Sequence, residues 1–283
     1  MFDIIADTLL DSVKLVPFLF LTYLAMEYLE HKTGDKTEKI IKKAGKWGPL
    51  IGGAVGAVPQ CGFSAAAANF YAGRVISLGT LLAIFLSTSD EMLPILISEK
   101  VAAGVILKIL AVKVVIGALA GFLIDLLFRK RHQEEHPHIH EMCEHEHCHC
   151  EEGILRSAVN HTLQITFFIL AISFVLNLAI HFIGEDALAG LILNRPVLGP
   201  VIAGLVGLIP NCAASVAVTQ LYLEGAMSFG SMMSGLLVGA GVGILVLCRV
   251  NRDKKENARI IGMLYLIGVL AGIVIEWFQI GFM

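Results

Sequence analysis

Two stretches of the chain read almost alike: residues 48–64 are GPLIGGAVGAVPQCGFS, and residues 199–215 are GPVIAGLVGLIPNCAAS. They align at an offset of 151 residues without a gap, and the same offset pairs Asp125 with Glu276 far downstream. An apolar composition produces chance matches of Leu, Val and Ala, but it does not place Gly-Pro, Pro-x-Cys and an acidic residue in one register. The sequence therefore predicts an internal duplication.

The composition indicates a membrane protein. Of the 283 residues, 56% are hydrophobic and 16% are charged, and the mean hydropathy is +0.77. A soluble domain has about 45–50% apolar and about 25% charged residues. Long unbroken apolar runs favour α-helical spans over the alternating pattern of a β-barrel. A net charge of -3 gives no basic surface for nucleic acid. The sequence has no metalloprotease, hydrolase or P-loop motif, so we expect it not to be an enzyme.

Each copy is predicted to have the same order of elements. A long helix comes first, an apolar segment broken at a Pro-x-Cys elbow follows, and two more long helices complete the copy. The predicted long helices cover residues 4–30, 77–97 and 102–127 in the first copy, and residues 157–183, 228–248 and 259–280 in the second. The pieces beside the first elbow, 48–58 and 62–72, have 11 residues each. Each piece reaches only about 16 Å, half of a hydrocarbon core of about 30 Å.

Loop charges decide between a kinked span and a re-entrant hairpin at each elbow. Basic residues concentrate in three loops, at 32–46, 129–131 and 249–259. If all three are cytoplasmic, an even number of spans separates the first from the second. A hairpin allows this, and a single kinked span does not. Each copy then has three transmembrane helices, the second copy is inverted, and both termini lie outside.

We thus predict an all-α polytopic membrane protein of two inverted repeats, each with three transmembrane helices plus a broken re-entrant helical hairpin, about ten helical segments in all. The first repeat covers residues 1–128, a cytoplasmic His/Cys-rich loop covers 129–153, and the second, inverted repeat covers 154–283. Such architecture is typical of secondary transporters, whose helix ends and unwound carbonyls hold an ion near the midplane. The alternative is that each proline only kinks a packed helix.

The two elbows offer matching types of ligand. The candidate substrate- or ion-binding residues there are Gln60, Cys61, Ser64, Asn211, Cys212 and Ser215. Carboxamides present a carbonyl oxygen or an NH2 group, and thiolates suit borderline metals and thiophilic metalloids. The alternative for each cysteine is a small buried hydrophobe.

Asp90 and Glu91 interrupt an apolar run, and their matched positions carry no charge. Carboxylates at membrane depth are costly, which favours a role in ion binding; the alternative places Asp90 near the outer interface. Lys113 and Glu27 are candidate coupling residues, because Lys113 can neutralise Asp90 when no cation is bound. The simpler alternative is that such lysines extend to the interface.

The central loop is rich in metal-binding side chains. Its candidate ligands are His132, His136, His138, His140, Cys143, His145, His147, Cys148, His149 and Cys150. Imidazole and thiolate together suit Zn, Cu, Ni and Co. The irregular spacing indicates a buffering or sensing loop rather than a closed tetrahedral site, and the alternative is a solvated acidic linker.

Two segments carry a resemblance to a known family. The two segments are GAVPQCGFSAAAANFYAGRVISLGTLLAIFLSTSDEMLPIL at 56–96 and GLIPNCAASVAVTQLY at 207–222. With the His-rich loop between them, they resemble the ten-helix heavy-metal exporters, also labelled arsenic efflux proteins or manganese transporters. The resemblance covers nearly the whole chain. It implies a permease of the inner (plasma) membrane that exports a metal or metalloid, and the direction of transport comes from the resemblance alone.

Three functions stay open at this point. The first is a secondary exporter of a transition or heavy metal ion, with a manganese-like divalent cation favoured, working by alternating access. The second is an efflux permease for arsenite or organoarsenicals, with the two elbow cysteines as contacts. The third is a membrane metal sensor without transport. The expected partners are the metal or metalloid ion and the lipid bilayer, with no resident cofactor; the oligomeric state is open, a homo-oligomer being one alternative.

Overall fold

The computed structural model describes residues 47–58, 61–89, 92–128 and 197–279, with scattered helical residues, alone or in pairs, between 16 and 24 and between 155 and 174. This described part contains helices and turns and no strand. The part of the chain predicted as the first repeat contains α1 (Gly48–Gly56), α2 (Cys61–Ala72), α3 (Leu78–Ser87), α4 (Met92–Ser98) and α5 (Ala103–Phe128). The part predicted as the second contains α6 (Leu198–Gly207), α7 (Cys212–Leu223), α8 (Phe229–Val238), α9 (Val242–Val250) and α10 (Lys254–Trp277). Most of the long helix predicted to open each repeat lies outside the described residues.

Four described segments are long and apolar enough to cross a membrane. They are Leu78–Ser98, Ala103–Phe128, Phe229–Val250 and Lys254–Trp277. Of the two segments that contain α5 and α10, only 33% is buried, against 75% and 83% of the other two. The α3–α4 and α8–α9 segments therefore form the interior, and α5 and α10 expose apolar side chains such as Leu119 and Leu270 on the outside.

Three predicted helices differ from the structure. The helices expected to run unbroken over 77–97 and 228–248 are each interrupted, so α3 and α4, and likewise α8 and α9, are separate. The last helix begins at Lys254 rather than at 259, because the Asp253 carboxylate accepts hydrogen bonds from the backbone N–H groups of Lys255 and Glu256.

The N-termini of α3 and α8 are held in the same way. Ser77 and Ser228 cap these helices with their hydroxyls. The backbone N–H of Gly79 donates to Asp125 at 2.8 Å, and that of Gly230 donates to Glu276 at 3.1 Å. The matched acidic pair Asp125 and Glu276 thus places negative charge at the N-terminal ends of α3 and α8, where the helix dipole is positive.

Helix α1 lies along the first half of the interior span. A Cβ on Gly48 would meet Thr80, and a Cβ on Gly56 would meet Ser87, so α1 and α3 run side by side in the same direction. Helix α2 then returns, and the chain continues through residues 73–77 into the start of α3. The α1–α2 pair therefore enters and leaves at the same end of α3.

The repeats interlock through their hairpins. Helix α2 packs against α9 of the other repeat, and α7 packs against α4. At the first of these contacts, a Cβ on Gly243 would come within 2.8 Å of the Ser64 Cβ and 3.0 Å of the Phe85 ring. Each elbow helix thus packs on the far half of the interrupted span of the other repeat.

Candidate functional site

The interruption between α3 and α4 is built by hydroxyl side chains. The Ser87 hydroxyl donates to the Ala83 carbonyl at 2.7 Å, the Thr88 hydroxyl to the Ile84 carbonyl at 2.8 Å, and the Ser89 hydroxyl to the Ser87 carbonyl at 2.9 Å. Such side-chain bonds compete with the helical ladder. These three hydroxyl residues are buried, so the helix ends inside the protein rather than at its surface.

The interruption between α8 and α9 is built by glycine. Gly241 has φ 52° and ψ -137°, a conformation that an L side chain rarely adopts. The backbone N–H of Ala240 donates to the Val238 carbonyl at 2.9 Å instead of continuing the ladder to Leu236. The Leu236 carbonyl therefore loses its helical partner at the C-terminal end of α8.

Lys113 joins the two interruptions. Its Nζ donates to the Leu236 carbonyl at 3.0 Å and also to the Thr88 carbonyl, and its side chain is fully buried. Thr88 follows α3 of the first repeat and Leu236 belongs to α8 of the second. The broken spans of the two repeats therefore meet at one point, and we refer to the Thr88 and Leu236 carbonyls as the carbonyl cradle.

The carbonyl cradle suits a positive charge. Backbone carbonyls at the C-terminal end of a helix carry the negative end of the helix dipole. Unwound carbonyls of this kind coordinate cations in secondary transporters. Within the described part of the chain, no group of three or more His, Cys, Asp or Glu side chains could hold a metal. The oxygens described beside Lys113 are the Thr88 and Leu236 carbonyls and the hydroxyls of residues 87–89.

The predicted elbow ligands are described in part. Ser64 is fully buried in α2, and Asn211 is buried just before α7. The Asn211 carbonyl accepts the Ala214 N–H at 3.3 Å, which begins the helix after the elbow. Ser215 is half-buried, and its carbonyl accepts the Thr219 hydroxyl at 2.7 Å. Cys61 and Cys212 begin α2 and α7, and their side chains lie outside the description.

The remaining predicted residues fall outside the described part of the chain. They are Glu27, Gln60, Asp90, Glu91 and all ten candidate ligands of the central loop. Their assigned roles stay predictions. Lys113 is the one candidate coupling residue that the described part includes, and it contacts both interruptions rather than an interface.

An ion pair between the repeats was not predicted. Arg74, at the end of the first hairpin, donates to both carboxylate oxygens of Glu256 at 3.0 and 3.1 Å. The Tyr71 hydroxyl donates to the same carboxylate at 2.6 Å, and the Asn251 amide donates at 2.9 Å. The guanidinium also lies 5.3 Å from the centre of the Tyr71 ring. At the offset of 151 residues, Gly225 replaces Arg74 and Val105 replaces Glu256, so the repeat alignment gives no signal for this pair.

Comparison with known proteins identifies the family of the chain. The model of a family described as "Putative, 10TM heavy-metal exporter" matches residues 1–182 and again residues 149–283. The chain belongs to this family. Membership, together with the four apolar spans, makes the chain a multi-pass membrane protein. Neither a curated protein nor a solved structure matches the chain.

Proposed function

We propose that this member of the family is a secondary transporter that exports a divalent transition metal, manganese-like in its ligand preference, by alternating access between two inverted repeats. The observation that carries the proposal is the meeting of two interrupted spans, one from each repeat, at the carbonyl cradle. Carbonyl oxygens at the ends of broken helices are where secondary transporters bind cations. Asp90, Gln60 and Asn211 are proposed as primary ligands, and Cys61 and Cys212 adjust the preference toward softer metals.

The inverted relation is supported by the ion pair between Arg74 and Glu256. Arg74 lies just before the start of α3, whereas Glu256 lies at the start of α10. The end of α10 lies beside the start of α8, because Glu276 accepts the Gly230 N–H. The start of α10 is therefore at the other end of the molecule from the start of α8. Since Arg74 contacts Glu256 there, α3 and α8 start at opposite ends and run in opposite directions.

Basic residues support one orientation in the membrane. The end that holds Arg74 also holds the run 249–259 and the end of α5, which precedes Arg129. Loops rich in Lys and Arg face the cytoplasm. We therefore assign this end to the cytoplasm, which makes the 129–153 loop cytoplasmic and both termini external.

The described oxygens favour a hard or borderline cation. The carbonyl cradle and the buried hydroxyls of Ser87, Thr88 and Ser89 offer oxygen alone. Oxygen ligands suit Mg, Ca and Mn, whereas thiolates select softer metals. Manganese is the transition metal that this chemistry fits best.

Flux measurements in proteoliposomes test the proposal. The purified protein is reconstituted, and uptake is followed in parallel for Mn2+, Zn2+, Co2+, Ni2+, Cd2+ and arsenite. We expect Mn2+ flux that Asp90→Asn lowers by about tenfold or more, because loss of a metal ligand weakens affinity at least as much as loss of an outer partner. The control is Glu224→Gln, which removes an exposed carboxylate from a turn.

The elbow cysteines and the central loop separate the other candidate functions. The double variant Cys61→Ser, Cys212→Ser should only weaken Mn2+ flux. Arsenite flux that this variant abolishes and Asp90→Asn spares would replace our proposal with an arsenical permease. Deletion of residues 132–150 should leave basal flux intact. If the full-length protein gave no flux for any substrate of the panel, transport would be refuted.

A further inference from the structure

The lysine at the carbonyl cradle has no counterpart in the second repeat. Lys113 and its matched residue Leu264 are both fully buried. The glycines one turn later, Gly117 and Gly268, both face the interior span beside them. The two positions are thus equivalent in the fold, and a leucine satisfies the second one.

A buried ammonium needs a specific reason in such a place. Taking a charge out of water costs several kcal/mol unless hydrogen bonds compensate. Leucine at the same place in the other repeat fills the space without that cost. What the ammonium adds is a cation between the C-terminal ends of α3 and α8, where it donates to the Thr88 and Leu236 carbonyls.

We infer that Lys113 is a tethered cation that occupies the metal site of the empty carrier and that the exported metal displaces. This inference rests on the proposed function and adds a mechanism of exchange to it. With metal absent, the ammonium compensates the partial negative charge of the two helix ends. The empty transporter can then change conformation without leaving that charge uncompensated in the low-dielectric interior. With metal bound, the side chain leaves the carbonyl cradle, and metal and lysine alternate there.

The inference separates two kinds of flux. Net export requires the empty carrier to return, and this return needs the Lys113 ammonium. Exchange of metal for metal across the membrane needs only the loaded carrier. A lysine that only held the helices together would support net export and exchange equally, because both fluxes require the folded protein.

The test uses Lys113→Met, which keeps an unbranched side chain only one atom shorter and removes its charge. Mn2+ binding is measured on the purified full-length protein, and net Mn2+ flux and Mn2+/Mn2+ exchange are measured in proteoliposomes. We expect net flux to fall about tenfold while exchange stays within about twofold. The apparent affinity should rise about tenfold if lysine occupies the site in about 90% of empty molecules. Lys108→Met is the control, since Lys108 is exposed on the same helix.

Equal loss of both fluxes in folded Lys113→Met protein, or weaker Mn2+ binding by it, overturns the inference. Lys113 would then only hold the helices together. A second measurement needs no variant: Lys113 of the wild-type protein is labelled with an amine-reactive reagent and quantified against Lys108 by mass spectrometry. Mn2+ should raise the labelling of Lys113, because displacement from the carbonyl cradle makes its amino group accessible to the reagent. Unchanged labelling in a protein that binds Mn2+ overturns the inference. Absence of any metal flux or binding in the wild type instead refutes the proposed function, so the two failures are distinct.

Discussion

The ends of the interior spans are built alike in the two repeats, whereas their middles are not. At the ends, a serine cap, a glycine and an acidic side chain recur: Ser77, Gly79 and Asp125 match Ser228, Gly230 and Glu276. In the middle, hydroxyl side chains interrupt the first span and glycines interrupt the second. The matched features set helix position, which both copies need equally.

Two of the unmatched residues belong to the proposed site. Lys113 and Asp90 both belong to the first repeat, and their counterparts are Leu264 and Gly241. A single site near a pseudo-twofold axis needs one charged set rather than two, because two copies would bring like charges together. The matched features therefore position the helices, whereas the two charges that we propose for the site occur in the first repeat alone.

The largest expected effect comes from the matched glycines at the helix ends. A Cβ on Gly79 would overlap the Gly121 carbonyl and the Asp125 carboxyl, and a Cβ on Gly230 would overlap Gly272 and Glu276. Backbone atoms cannot give way cheaply, so Gly79→Ala and Gly230→Ala should each destabilise the protein by about 3 kcal/mol. The melting temperature in detergent measures this loss.

The controls for these variants are Gly104→Ala and Gly262→Ala, since nothing lies within 4 Å of a Cβ at either position. Alanine in an open helical position should be neutral or stabilise by up to about 1 kcal/mol. A large loss from Gly79→Ala with none from Gly230→Ala would contradict the idea that the ends of the two spans are equivalent.

Much of the scaffold could be predicted from the sequence, because it follows from repetition and length. The family, the helical membrane class and the short paired pieces at each elbow were all correctly predicted, and α1 and α2 match the expected pieces closely. The pairing of residues far apart in the sequence could not be predicted. Arg74 and Glu256 are 182 residues apart, and nothing in local pattern or in the repeat alignment connects them.

The interruptions inside the spans were missed for a physical reason. Residues 78–98 are apolar enough on average to read as one helix, and three hydroxyl side chains do not lower that average much. The signal was present in Ser87, Thr88 and Ser89, whose hydroxyls compete for backbone carbonyls, and in Gly239 and Gly241. Two partners of Lys113 are the backbone carbonyls of Thr88 and Leu236, and backbone carbonyls leave no trace in a sequence.

The acidic side chains at the helix ends allow a graded comparison. Asp125 accepts from the Ser77 hydroxyl at 2.6 Å as well as from the Gly79 N–H, whereas Glu276 accepts the Gly230 N–H at a longer 3.1 Å. Asp125→Asn should cost about 2 kcal/mol and Glu276→Gln about 1 kcal/mol, because hydrogen bonds to a charged group contribute more than neutral ones. Unfolding in mixed micelles measures both losses, and a larger effect at Glu276 would contradict this ranking.

The glycine interruption can be tested at Gly241. Alanine there must adopt φ 52° and ψ -137°, which should cost about 1.5 kcal/mol and lower the melting temperature by about 4 °C. Gly225 is the matched control: its φ is 74°, and Arg74 occupies the corresponding position of the first repeat at φ 59°. Gly225→Ala should therefore be milder, and a smaller effect at Gly241 than at Gly225 would show that the interruption tolerates side chains.

The smallest expected effect is the coupling between Arg74 and Glu256, and it bears most directly on how the repeats are oriented. The two side chains are 19% and 18% exposed, so the pair is partly screened by solvent and its coupling should be about 1 kcal/mol. A double-mutant cycle with Arg74→Gln and Glu256→Gln isolates this energy, and Tyr71→Phe provides a third single variant that removes one donor without removing charge.

Because the pair joins the start of α3 to the start of α10, a measurable coupling requires those two ends to lie on the same side of the membrane, which the inverted arrangement alone provides. A coupling of zero, with each single variant as stable as the wild type, would remove the contact on which the inverted orientation depends.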